Sequence, residues 1–208
     1  DWRNYAIAKI NTCHMEPWAR SVSNDHLRDV RLAFSRLRAL GYARIGLAID
    51  QAYDDGCRRR HTAGYLLEEA AVPADRRVPP LLFPYNCPSH EAVGMLCRWI
   101  RRHRVDAVIT NWQDIDTKLA SQGLEVPGDV ACASLCLCDT RPALAGVRPS
   151  LALVGRRAVS LIATQLKTGE HGVPAFAAAT YVQSQWQDGP SAPACAHAEK
   201  DLTETFAH

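Results

Sequence analysis

The chain has 208 residues, 47% of them hydrophobic and 22% charged, a globular balance that excludes a disordered or low-complexity protein. A net charge of +2 gives no electrostatic case for nucleic-acid binding by these residues, and no apolar run approaches the ~20 residues of a membrane helix. Eight cysteines lack the regular spacing of a secreted disulfide scaffold, and several lie in apolar runs, as expected of reduced thiols in a cytoplasmic protein.

The opening "DWRNYAIAKI" lacks the form of a signal peptide and reads as a chain cut from something longer. Residues 2–10 read as a strand, followed by a loop to Val22. Asp25 can cap a helix whose apolar positions Val30, Ala33, Phe34 and Leu37 recur at helical spacing, and Gly41 ends it. "ARIGLAID" (43–50) is a short strand, and "DQAYDD" after it reads as a loop. Ala63, Leu66, Leu67 and Ala70 predict a second helical stripe, and "VPPLLF" an extended segment. A third helix opens at Ser89 with Val93, Leu96, Cys97 and Ile100 on its core side, "DAVIT" (106–110) is a strand, and a shorter helix spans 112–122. In "QGLEVPGDV" (122–130), Gly123 closes that helix, Pro127 and Gly128 turn the chain, and Asp129 leads into the strand "VACASL". After Asp139 the alternation breaks into the loop "TRPALAGVRPS". A last helix follows with Val154, Ala158, Leu161, Ile162 and Leu166 inward, then a strand over 176–182. From Asp188 the small and polar residues predict a fraying tail.

Short apolar strands alternating with helices of 10–15 residues predict an α/β fold, a three-layer parallel sheet with helices on both faces and right-handed crossovers. Ligands of such sheets sit at the carboxyl ends of the strands. Here those exits are near Asp50, Asn86, Asn111 and Cys136. Asn111 offers an amide donor and acceptor to a polyol, or caps a helix; Trp112 offers a flat apolar face, or packs in the core.

Several segments, taken in order, resemble the effector-binding domain of the LacI/GalR family of transcriptional regulators. They are "VSND" (22–25) with the helix ending "LRALGY", "RIGLA" (44–48), "HTAGY" (61–65), "VDAVITN" (105–111), "GLEVPGDV" (123–130) and "VGRRA" (154–158). Together they span about residues 22–188. The resemblance implies two α/β lobes with a small, sugar-related effector between them, and a homodimer. It implies operator contact only through a helix-turn-helix headpiece outside this chain. It further implies that residues 1–41 are a remnant of the N-terminal lobe and crossover, 42–140 the C-terminal lobe, 141–187 a crossover with returning helix and strand, and 188–208 a flexible tail.

Departures from the family pattern bear on the site. The arginine of its R-x-x-G motif is replaced by His61, with Arg58, Arg59 and Arg60 just before it; Arg60 can take that role, or the run is a solvated helix end. The family's N-D pair reads Asn111-Trp112, and Cys136 stands where an effector-binding aspartate is expected. Asp139 can serve in its place, or is a turn residue. Cys132, Cys136 and Cys138 share strand parity, but their spacing suits buried thiols better than zinc. No metal or cofactor is expected. The basic run Arg101–Arg104 at a helix end complements the helix dipole on a solvated face, or holds a phosphate. No nucleophile elbow, phosphate loop or zinc-protease motif is present, so no enzyme is expected. The alternative with the same lobes is a periplasmic-type solute-binding protein; a flavodoxin-like or response-regulator module would need an acidic cluster stronger than "DQAYDD".

Overall fold

The computed structural model describes residues 1–11, 16–138 and 144–195. The elements in chain order are β1 (Lys9–Ile10), β2 (Ser21–Asn24), α1 (His26–Ala39), β3 (Ile45–Asp50), α2 (Gln51–Gly56), α3 (Arg60–Ala70), β4 (Leu81–Phe83), α4 (Ser89–His103), β5 (Ala107–Thr110), α5 (Ile115–Ala120), β6 (Ala131–Ser134), β7 (Ala145–Arg148), α6 (Leu151–Thr168), β8 (Ala179–Val182) and β9 (Gln185–Gln187).

The larger sheet has the order β4-β3-β5-β6-β7-β9, parallel except for β9. Its central strands are buried on both faces, so they read as continuous apolar runs rather than alternating ones. Alternation appears in what each residue touches. Ile45, Leu47, Ile49, Ala107 and Ile109 pack in a core with Val30, Phe34 and Leu37 of α1 and Tyr65 of α3. Ala48, Val108 and Cys132 pack in the opposite core with Val93, Leu96 and Ile100 of α4 and Ile115 and Leu119 of α5. The three-layer parallel sheet expected from the sequence is therefore present.

The smaller sheet is β1-β2-β8, all parallel, with Val22 and Val182 packed on Val154 and Ala158 of α6. The backbone passes between the two sheets three times: from β2 into α1, from β7 into α6, and from β8 into β9. These crossings define two lobes with a seam between them.

The joint "GLEVPGDV" behaves as the turn chemistry requires. Gly123 adopts a φ of 70°, the Leu124 N–H returns to the Leu119 carbonyl at 3.1 Å, and the Asp129 carboxylate accepts from the Glu125 N–H at 2.8 Å. Asp106 fixes the other end of the sheet, its carboxylate accepting from the Ala43 and Arg44 N–H groups at 2.8 and 2.9 Å.

Several elements differ from the sequence reading. Residues 2–5 form a turn, not a strand, with the Tyr5 N–H on the Trp2 carbonyl. Ile7 finds its backbone partner in the buried Gln165 side chain, which accepts from the Ile7 N–H at 3.2 Å and donates to its carbonyl at 3.0 Å. Residues 51–56 are helical rather than a loop. The supposed loop after Asp139 contains β7, whose short "AGVR" carries too weak an apolar signal to stand out. Leu166 points to solvent, its place on the inner face of α6 taken by Gln165. Residues 188–195 pack instead of fraying. The buried Ser191 hydroxyl donates to the Cys132 carbonyl and accepts from the Ala145 N–H, while the Cys195 N–H reaches the Leu40 carbonyl at 2.8 Å.

The largest reversal is α3, which buries His61, Gly64 and Tyr65 and exposes Leu66 and Leu67. The cause is close approach to α1: a Cβ on Gly64 would lie 2.4 Å from the backbone oxygen of Leu27. Gly64→Ala is therefore expected to cost about 1–3 kcal/mol through overpacking. Gly155→Ala in α6, where a Cβ meets nothing within 4 Å, is expected to stabilise by about 0.5–1 kcal/mol through helix propensity. Thermal melts of both variants check the pair; shifts of the same sign would contradict the packing described.

Candidate functional site

The seam between the lobes holds a cavity of about 210 Å³. The smaller sheet and the segments flanking its strands supply Lys9, Asn11, Trp18, Ser21, Tyr181 and residues 177–179, while Arg58 comes from the segment joining α2 to α3 and Arg60 from the start of α3. Asn11 and Arg58 both have φ in the left-handed region, at 74° and 57°, as does Arg59 at 55°. Non-glycine residues held there cluster at ligand sites, where the surrounding structure over-determines them.

Charge and ring faces converge on this cavity. The Arg58 guanidinium lies 4.0 Å from the centre of the Trp18 ring, and that of Arg60 lies 4.4 Å from the centre of Tyr181. Lys9 Nζ stands 5.9 Å from the Trp18 ring. Arg60 also pairs with Asp25 at 3.0 Å, yet its Nε is a buried donor with no hydrogen-bond partner among the described residues. Such a donor is costly to leave unmatched and calls for an acceptor. No carboxylate is among the described residues lining the cavity.

Beside the cavity lies a buried polar cluster. Asp54, 2% exposed, accepts from the His61 N–H at 3.1 Å and from His61 Nδ1 at 3.2 Å, and its other oxygen accepts from the Thr62 hydroxyl. One carboxylate therefore caps the start of α3 and orients the imidazole. Burial works against the Asp54 charge, but the hydrogen bonds from His61 and Thr62 outweigh it and hold the carboxyl below its ordinary range. His61 stacks on Tyr53 at 5.2 Å and lies 4.8 Å from the ring of His26. Burial, reinforced by the nearby His61 and the Arg60 guanidinium, pushes the His26 imidazole down to about 4, so it is neutral at pH 7.

The structure separates the residues singled out in the sequence. Arg60 lines the cavity; His61 lies behind it, 1% exposed. Asn111 and Trp112 stand apart at the exit of β5, and Asn111 does not cap α5, whose N-cap is Asp114. Both turn to Asp50: Asn111 Nδ2 donates to its carboxylate at 2.8 Å and Trp112 Nε1 at 3.1 Å, while the Trp112 ring stacks on Phe83 at 4.4 Å. Cys136, half-buried, accepts on its carbonyl from Gln113 Nε2, and Cys138 donates to Gln113 Oε1 at 3.2 Å. Asp139 lies outside the described residues. Of the cavity residues, Lys9, Asn11, Trp18 and Tyr181 were not legible in the sequence. They fall in a loop and in short edge strands, and only the three-dimensional seam gathers them.

No family model matches the sequence, and neither does any curated protein. The fold is nevertheless recognisable among solved structures. A LacI-family regulator from Enterococcus faecium with bound ribose superposes with a TM-score of 0.65 at 14% identity, over 90% of this chain and 70% of that one. A LacI-family regulator from Silicibacter pomeroyi gives 0.67 at 18%, over 89% and 68%. A complex of the regulator CelR with cellobiose gives 0.65 at 20%, over 88% and 58%. The protein has a two-lobed α/β fold with three chain crossings. More particularly, this fold is the one seen in these solved LacI-family transcriptional regulators, and the chain spans roughly 70% of the length of several of them.

Proposed function

We propose that this chain is the effector-sensing part of a LacI-type transcriptional regulator, cytoplasmic and non-enzymatic, and that its effector is a small polar, sugar-related molecule held in the seam between the lobes. The observation that carries the reading is the cavity contributed to by both lobes, together with the fold shared with regulators solved with ribose and cellobiose. A ligand touching both lobes favours one arrangement over another, and its difference in affinity for the two sets the response. DNA contact falls to a headpiece and not to these lobes.

The lining refines the class of effector. Arg58, Arg60 and Lys9 around a cavity lined by no described carboxylate favour an anionic compound, such as a sugar phosphate or sugar acid, over a neutral sugar. The ring faces of Trp18 and Tyr181 suit the apolar face of a sugar ring. His61, Asn111, Trp112 and Cys136, effector contacts by the family resemblance, are not among the residues lining this cavity, so the proposed contacts are Arg58, Arg60, Lys9, Trp18 and Tyr181. Isothermal calorimetry with matched neutral and phosphorylated or carboxylated sugars tests it. The anionic member should bind and the neutral monosaccharide weakly or not at all; tight neutral-sugar binding alone would contradict it.

Dimerisation is part of the same proposal, supported by Leu66 and Leu67 exposed on α3 and Val159 and Leu166 on α6. Sedimentation equilibrium should show a concentration-dependent dimer; a monomer at every concentration would count against it.

A further inference from the structure

Behind the effector cavity, three side chains of metal-ligating type converge in the interior. His26 begins α1, Cys57 ends the short α2, and His61 lies in the first turn of α3. One ligand atom from each lies within 4.8 Å of the others, and the residues are 7%, 2% and 1% exposed. We propose that His26, Cys57 and His61 form a transition-metal site for a zinc-type divalent ion.

The donor set suits such an ion. Zinc takes imidazole nitrogen at about 2.0–2.1 Å and thiolate sulfur at about 2.3 Å, so its ligand atoms lie roughly 3.3–3.7 Å apart in a tetrahedron. Closing from 4.8 Å to that separation needs side-chain adjustments on the order of 1 Å.

Each ring already has one nitrogen held by a hydrogen bond. Asp54 accepts from His61 Nδ1, the carboxylate–histidine pairing that accompanies ligating histidines, and leaves a lone pair on Nε2. The His26 Nε2–H donates to the Asn11 side-chain oxygen at 2.8 Å, leaving the lone pair on Nδ1. Two imidazoles and a thiol select zinc, cobalt or copper over magnesium or calcium, which prefer oxygen. On binding, the Cys57 thiol loses its proton to solvent as the metal–sulfur bond forms. Three protein ligands leave a fourth position for water or for a donor atom of a bound molecule.

The site also has a reason to matter to the rest of the molecule. All three ligands lie on the larger-sheet side of the crossings, whereas Asn11 and Ser23, which face His26, come from the smaller sheet. A metal that reorients His26 therefore acts on the seam. The proposal is independent of the sugar-related effector, since the ligands stand behind the cavity.

Cobalt(II) is the probe. One equivalent added to the chelator-treated 208-residue chain should give a thiolate-to-metal charge-transfer band and the intense visible bands of four-coordinate cobalt, and one equivalent of zinc should bleach them. Cys57→Ser should abolish the charge-transfer band while its far-ultraviolet circular dichroism stays that of the parent. Asp54→Asn, which leaves the three ligands in place, should weaken zinc about 10–100-fold in a chelator competition. His61→Ala and His26→Ala should lose the band, and Cys136→Ser should keep it. Absence of the charge-transfer band in the parent, or a band that survives Cys57→Ser, overturns the proposal.

Discussion

Asp54→Ala is expected to cost about 3–5 kcal/mol of stability, because it strands several buried donors at once. The carboxylate receives the His61 N–H, His61 Nδ1 and the Thr62 hydroxyl in a place where water cannot replace it. Asp54→Asn keeps one acceptor oxygen and should lose less. Asp55→Ala is the control. Its carboxylate pairs at the surface with Arg59 at 2.6 Å and accepts from the Tyr85 hydroxyl at 2.7 Å. Exposed pairs of this kind contribute little to stability, so this variant should stay close to the parent. Urea unfolding measures all three. An Asp54→Ala variant within about 1 kcal/mol of the parent would show that α3 does not depend on this carboxylate.

The second large effect concerns Asp29, in the first turn of α1 and 3% exposed. Burial pushes its carboxyl up to about 7, with Asp25 adding to the rise and the Ser184 hydroxyl and Arg28 offsetting only part. Asp29 Oδ1 and Ser184 Oγ both lack a hydrogen-bond partner of good geometry among the described residues. A raised folded-state value means that the unfolded chain releases this proton first. The Asp29 contribution to stability therefore falls as pH rises from about 4 to about 7, then levels off. His26 works in the opposite direction. With a folded-state value near 4, its contribution is lost as pH falls from about 6.5 to about 4, so the two partly cancel in that window. Comparing the parent with Asp29→Asn isolates the carboxyl. The variant's advantage should grow by about 3 kcal/mol between pH 5 and pH 8. Urea unfolding at the two pH values checks it; an advantage independent of pH would place the Asp29 carboxyl in its ordinary range.

The parallel core was legible because its signal is local. "RIGLAID", "DAVIT" and "VACASL" are apolar runs bounded by turn residues, and each became a central strand. The joint at Gly123–Asp129 was equally readable, since glycine, proline and aspartate each have one conformational task there. Elements without such a signal went unread. The residues of β7 and β9 are strands only because a neighbour offers its edge. In α3 the leucines looked like the buried stripe, but backbone approach at Gly64 turned the other face inward, a tertiary effect that spacing cannot carry. For the candidate site, the family resemblance drew attention to residues 58–61. The basic run at Arg58–Arg60 does reach the cavity, while His61 was buried by the Asp54 cap beside it. Lys9, Trp18 and Tyr181 lie far apart in sequence, and only the crossings bring them together.

Titrating the chain and its Arg60→Ala variant with the anionic sugars, side by side in the calorimeter, examines the seam most directly. Arg60, singled out in the sequence, lines the cavity, and its Nε is a buried donor with no hydrogen-bond partner among the described residues. If the seam takes the effector, the parent binds an anionic sugar and the alanine variant binds it at least about tenfold more weakly, the loss of one charge-assisted hydrogen bond. Equal affinity in the two proteins would place the effector elsewhere and remove the physical basis for reading this cleft as the sensor.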